Sequence, residues 1–143
     1  MGVYRRMLLV VDLTEDSLPI GRKAQALAQA LGAEVELLHV VEFVPVEPMG
    51  ETLMPAVQIE EELLQRAQQR LAALAADLGL AGAACRVESG NVKAEIVRVA
   101  RERHADLIVL GARVYADIGT TRLPSAAHHV IAQAHCPVLT IRE

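Results

Sequence analysis

The sequence predicts an α/β fold, an open twisted parallel sheet with helices on both faces. Three observations carry that expectation. Short apolar runs such as MLLVV, ELLHVV, LIVL and PVLTI lack polar alternation, which marks strands buried on both faces. Segments of helical period separate these runs, and strand–helix alternation of this kind builds a parallel sheet. Apolar residues make up 52% of the chain but aromatics only 2%, so the core must be aliphatic. The 143 residues suit one domain, 1–143, with no internal repeat or linker.

The elements follow in order. Arg6 to Asp12, RMLLVVD, is a first strand that ends in a carboxylate. Thr14 or Asp16 can cap the helix that follows, where Leu18, Ala24, Leu27, Ala28 and Leu31 recur at helical spacing and Gly32 ends it. Glu34 to Val41 is a second strand, and a β-α-β crossover of this kind is right-handed. Residues 43–56 carry Pro45, Pro48 and Pro55, which forbid a regular helix. Thr52, Leu53 and Met54 could fold over a pocket as a lid, and a variable insertion without a role fits the same composition. Gln58 to Leu78 is the clearest helix, with Ile59, Leu63, Ala67, Leu71, Leu74 and Leu78 on one face. Ala84 to Glu88 is a third strand, Ser89–Gly90–Asn91 a turn, and Val92 to His104 a third helix. Asp106 to Leu110 is the fourth strand, Ser125 to Ala134 the last helix, and PVLTIRE the closing strand.

Composition excludes several function classes. Net charge is −4, and no run of like charge is longer than Glu60–Glu62, which argues against a nucleic-acid partner. The apolar run from Met7 to Val11 is too short for a secretory signal, and none approaches the ~20 residues of a membrane span. Cys85 and Cys136 lack a partner motif, so two reduced thiols are expected. A cytoplasmic protein is the expectation.

The stretch DLIVLGARVYADIGTTRLPSA, residues 106–126, runs from strand through loop to helix start. In an α/β sheet it places free amides and a positive dipole end where an anion could sit. An ordinary strand–helix connection ending in a capped helix accounts for the same spacing. With strands one and four as neighbours, Asp12 and Gly111 would face each other across the crevice where ligands bind in open sheets. The other candidates are weaker. His128 and His129 are adjacent, about 100° apart on a helix, and cannot share one metal. His39 lies inside an apolar strand and reads as a hydrogen-bonded core residue. His135–Cys136 invites a nucleophilic reading, but neighbours in extended chain point apart.

Four segments, RRMLLVVDLTEDS, EVELLHVVE, ARERHADLIVLGAR and HCPVLTIRE, together give the chain a resemblance to the universal stress protein family along its whole length. That resemblance implies an adenine nucleotide alpha hydrolase-like sheet in strand order 3-2-1-4-5, a homodimer, and no strong catalytic activity. The apolar closing strand, Val138 to Ile141, is the expected dimer edge. The family's nucleotide-binding branch carries Gly-x-x-Gly, nine residues, then Gly-Ser or Gly-Thr. Here Gly111 and Ser125 are kept, while Val114 and Pro124 replace the other two glycines. This departure is similar to the universal stress protein A type of branch, which lacks ATP binding. The resemblance leaves Asp12, Leu13, Val40, Arg113 and Gly111, with Ser125 and Ala126 at the helix start, to hold AMP or ATP weakly. The expected function is a non-enzymatic stress-response protein. A nucleotide-dependent switch or slow ATPase is the alternative, and an electron-transfer flavoprotein-like adenosine-binding subunit is a third reading.

Overall fold

A computed structural model describes residues 3–42, 56–112, 114 and 125–142, with the side chains of residues 56, 57 and 125 outside that description. Five strands, β1 (Arg6–Val10), β2 (Glu34–Val41), β3 (Ala84–Ser89), β4 (Leu107–Gly111) and β5 (Val138–Ile141), alternate with four helices. The helices are α1 (Ser17–Leu31), α2 (Ala56–Asp77), α3 (Val92–Glu102) and α4 (Ser125–Gln133). The sheet is parallel in the order β3-β2-β1-β4-β5, as the family resemblance implied. Met7, Leu9, Val11 and Leu37 point into an aliphatic cluster with Ala24, Ala28, Leu71 and Ala75 of α1 and α2. Leu8, Val10, Leu38 and Val40 point the other way, onto Ile96 and Val99 of α3 and Ala127 and Val130 of α4. The central strands are thus buried on both faces, which is why they read as unbroken apolar runs.

Local chemistry sets the ends of the elements. Gly32 is left-handed at φ 68°, and Ala33 donates its amide to the Ala28 carbonyl at 2.9 Å, closing α1 as glycine C-caps do. Gly79, at φ 73°, plays the same part after α2. Asn91, the last residue of the expected turn, caps α3, its Oδ1 accepting the Ala94 amide at 3.0 Å. The start of α1 differs from expectation. Neither Thr14 nor Asp16 caps it with a side chain; Asp16 holds the N-cap position without a side-chain hydrogen bond. Asp12 draws both Thr14 and Ser17 into its own carboxylate instead. α2 begins at Ala56, two residues before the apolar stripe that announced it. The lid suggested at residues 52–54 lies outside the described residues.

The DLIV segment has a role its pattern did not disclose. Asp106 takes the Arg5 amide at 2.9 Å and the Arg6 amide at 3.0 Å, clasping the entry of β1 to the entry of β4. The two sheet edges also differ. On β3, Arg86 pairs with Glu88 at 2.6 Å and with Glu102 of α3 at 2.9 Å, a charged covering of the kind that blunts an edge. β5 carries Val138, Leu139 and Ile141. Cys85 and Cys136 are both unbridged and stand at opposite edges of the sheet.

Candidate functional site

Pairing of β1 with β4, Val10 opposite Leu110, brings Asp12 and Gly111 to the same carboxyl-end crevice. Both line one cleft with Val10, Val11, Asp16, Ser17, Ile20 and Val114. The described residues enclose only about 20 Å³ there, the space of a single water rather than of a nucleotide. Residues 113 and 115–124, which the sequence places between β4 and α4, lie outside the described part. Arg113, Pro124 and the side chain of Ser125 are among the residues this leaves without a structural account.

Asp12 is bent back on its own turn. Its Oδ1 accepts the Thr14 amide at 3.3 Å, the Thr14 hydroxyl at 2.8 Å and the buried Ser17 hydroxyl at 3.3 Å. Leu13 then turns the chain through φ 59°, a left-handed conformation that costs a side-chain-bearing residue roughly 1–2 kcal/mol. Two side chains from neighbouring elements hold the carbonyls on either side. His39 of β2 donates Nδ1–H to the Val11 carbonyl at 2.8 Å, with the proton placed on that nitrogen because a carbonyl can only accept. Arg70 of α2 donates its Nη2–H to the Leu13 carbonyl. Burial pushes His39 below its ordinary range, partly countered by the Val11 carbonyl and the Asp12 charge, while the Arg70 charge adds to the lowering. The expected hydrogen bond is present, on a histidine that is half-buried rather than in the core, and the site gains two contributors, His39 and Arg70, that the motif does not contain.

Gly111 and Val114 separate in role. A Cβ on Gly111 would meet the terminal methyl of Ile20, so the glycine lets α1 approach β4 closely whatever binds nearby. Val114 is not in the positive-φ region, which among described non-glycine residues holds only Leu13 and His104. It is 4% exposed and belongs to the cluster that the sheet forms with α3 and α4. Where the family's second glycine would keep a loop open, this chain inserts an aliphatic anchor. Val40 is buried at the end of β2, and Ala126 is buried in the first turn of α4.

The remaining chemistry is sparse. No group of three or more His, Cys, Asp or Glu residues able to hold a metal occurs among the described residues. Burial raises the Cys136 thiol above its usual range, and the Asp106 charge adds to it; a thiol so held is a poor nucleophile. A larger cavity of about 570 Å³ opens at the opposite, amino end of the sheet, lined by Arg6, Glu34, Glu36 and Arg103 among others. Arg103 and Glu36 already pair there at 2.9 Å, and that end lacks the converging strand termini at which α/β sheets take ligands. No described helix is long and apolar enough to cross a membrane.

With this geometry in hand, comparison with known proteins is informative. A universal stress protein of Thermus aquaticus is 32% identical over 143 residues, 98% of this chain and 100% of that protein. The structure of universal stress protein UspA from Lactobacillus plantarum superposes with a TM-score of 0.73 at 25% identity, covering 97% of this chain and 98% of the other. A universal stress protein solved in complex with cAMP superposes at 0.70 with 20% identity, covering 98% of each chain. Residues 3–142 match the profile of the universal stress protein family, and the chain belongs to that family.

Proposed function

We propose that this chain is a non-enzymatic, homodimeric universal stress protein that binds adenine nucleotides weakly at the carboxyl ends of β1 and β4, with monophosphates preferred. One observation carries the reading. Asp12 and Gly111 meet in a single cleft, where a sheet of this topology takes its ligand. A structural neighbour was solved with cAMP, which supports an adenosine monophosphate as the ligand class. The preference against a triphosphate follows from Val114, whose buried side chain stands where a phosphate loop needs bare backbone, and from Pro124, which lacks an amide to donate.

The dimer rests on the contrast between edges. β3 is screened by ion pairs within the strand and with α3, while Leu139 is 39% exposed on β5 and Ile131 49% exposed on the neighbouring α4. Two copies pairing through β5 would bury that apolar surface and remove the free edge. Protein denatured after purification and run by chromatography reveals a co-purified nucleotide. Calorimetric titration with AMP, cAMP and ATP then ranks them. Micromolar-or-weaker AMP binding above ATP supports the reading. Tight ATP binding with slow hydrolysis supports a switch or ATPase instead.

A further inference from the structure

Leu13 is where the candidate site turns, and a left-handed leucine has to be held in place. Its side chain is buried in the cluster that contains Ala67 and Leu71 of α2, which fixes where the residue sits. Burial of an apolar side chain does not fix the direction of the peptide that follows it. That direction is set by hydrogen bonds at its two ends: the Thr14 amide goes to Asp12 at a long 3.3 Å, and the Leu13 carbonyl takes one from Arg70. Arg70 lies 57 positions away in sequence, on an exposed stretch of α2 where Gln68 and Gln69 are also exposed. A surface arginine ordinarily gives its donors to water; this one reaches over the end of β1. The guanidinium is planar and its donors point in set directions, so it constrains the carbonyl more narrowly than a water would.

We propose that Arg70 is a positioning residue for nucleotide binding, holding the Leu13 carbonyl so that the turn aims the Asp12 carboxylate and the Leu13 peptide at the crevice. This rests on the adenine-nucleotide reading given above. The neighbouring clamp, His39 on the Val11 carbonyl, comes from the sheet itself and cannot move independently of it. Arg70 comes from a helix, so the aim of the site is tied to the seating of α2. By linkage, a ligand that needs this aim stabilises the seating of α2 in return.

The test is calorimetric titration of AMP into the full-length parent and into the Arg70→Met, Arg70→Lys and Arg66→Met variants at 25 °C, with the melting temperature of each recorded. Loss of a hydrogen bond from a charged donor should weaken AMP binding about tenfold or more in Arg70→Met. Arg70→Lys should recover part of the loss, since an ammonium still donates to a carbonyl. Arg66→Met removes the same charge one helical turn away and should match the parent. A merely structural role would lower the melting temperature of Arg70→Met and leave the affinity of the folded protein unchanged, which overturns the proposal. Equal losses in Arg66→Met and Arg70→Met also overturn it, by reducing the effect to general charge. A parent that binds no AMP removes the nucleotide reading itself, and the parent titration alone distinguishes that failure from the others.

Discussion

A Cβ built on Gly111 would lie 2.6 Å from Cδ1 of Ile20, so α1 rests directly on the end of β4. The residue that the phosphate-loop motif would claim is also a point of close approach. The colliding atom is the movable end of a side chain, so Gly111→Ala should destabilise the fold by no more than about 1 kcal/mol, the low end of what overpacking costs. Ile20→Val removes the colliding methyl, so the double variant should be more stable than the sum of the two single changes. Urea titration of all four proteins checks this; strict additivity would show that the contact relaxes without cost.

Val114 gives a second expectation. Its burial in the cluster under α3 and α4 means that Val114→Gly deletes core contacts and adds backbone freedom, together roughly 2–3 kcal/mol of lost stability. Combined with Pro124→Gly, it should nonetheless raise ATP affinity about tenfold while leaving adenosine affinity nearly unchanged, because only the phosphates reach this loop. Thermal melts and paired ATP and adenosine titrations read the two effects separately. Equal ATP affinity in parent and double variant would show that the missing glycines do not govern nucleotide choice.

The dimer edge is tested at Leu139. Light scattering at micromolar concentration should report a dimer for the parent and a monomer for Leu139→Lys, while Ala84→Lys, at an exposed position of the opposite edge strand, should leave the dimer mass unchanged. A monomeric parent removes the β5 interface from the proposal.

His39 predicts a pH dependence. Burial lowers its pKa in the folded state, while the unfolded chain titrates near the ordinary value of about 6.5. Below that value the unfolded state binds more protons, so stability should fall as pH drops through about 6.5 toward the lowered folded value and level off beneath it. Above the unfolded pKa this contribution is flat. Denaturation curves of parent and His39→Asn at pH 7.5, 6.0 and 5.0 isolate it, with the variant expected to lose the part of the slope that falls in this window.

The sheet was legible in the sequence because burial on both faces leaves a simple mark. Strands β1 and β4 are apolar throughout their centres, and Gly32 and Gly79 punctuate the helices as left-handed caps do. Asp12 and Gly111 were legible as a pair for the same reason, since each ends a buried strand. Reach across the fold was not legible. Arg70 sits on the polar side of an amphipathic helix, where nothing in the period marks it as bound to the Leu13 carbonyl. Asp106 reads as a polar residue before a strand, and its grip on the Arg5 and Arg6 amides exists only once β1 and β4 are adjacent. Val114 reads as a missing glycine, because a loop residue has no periodicity to announce that its side chain is buried. Asp16 takes the N-cap position the sequence offers, but its side chain makes no cap hydrogen bond, and the third helical residue, Pro19, has no amide to give it.

The Asp106 clasp joins groups 100 and 101 positions apart, and this bears on how the chain folds. β1, α1 and β2 can assemble from local sequence, but β4 must find β1 by closing a loop of about a hundred residues. The entropy of such closure is charged before its contacts form and slows the search. The central pair of strands is therefore expected to join late, although it lies in the middle of the sheet. The crevice between Asp12 and Gly111 comes into being only with that joint, so the site is absent from any intermediate in which the two halves are folded but apart.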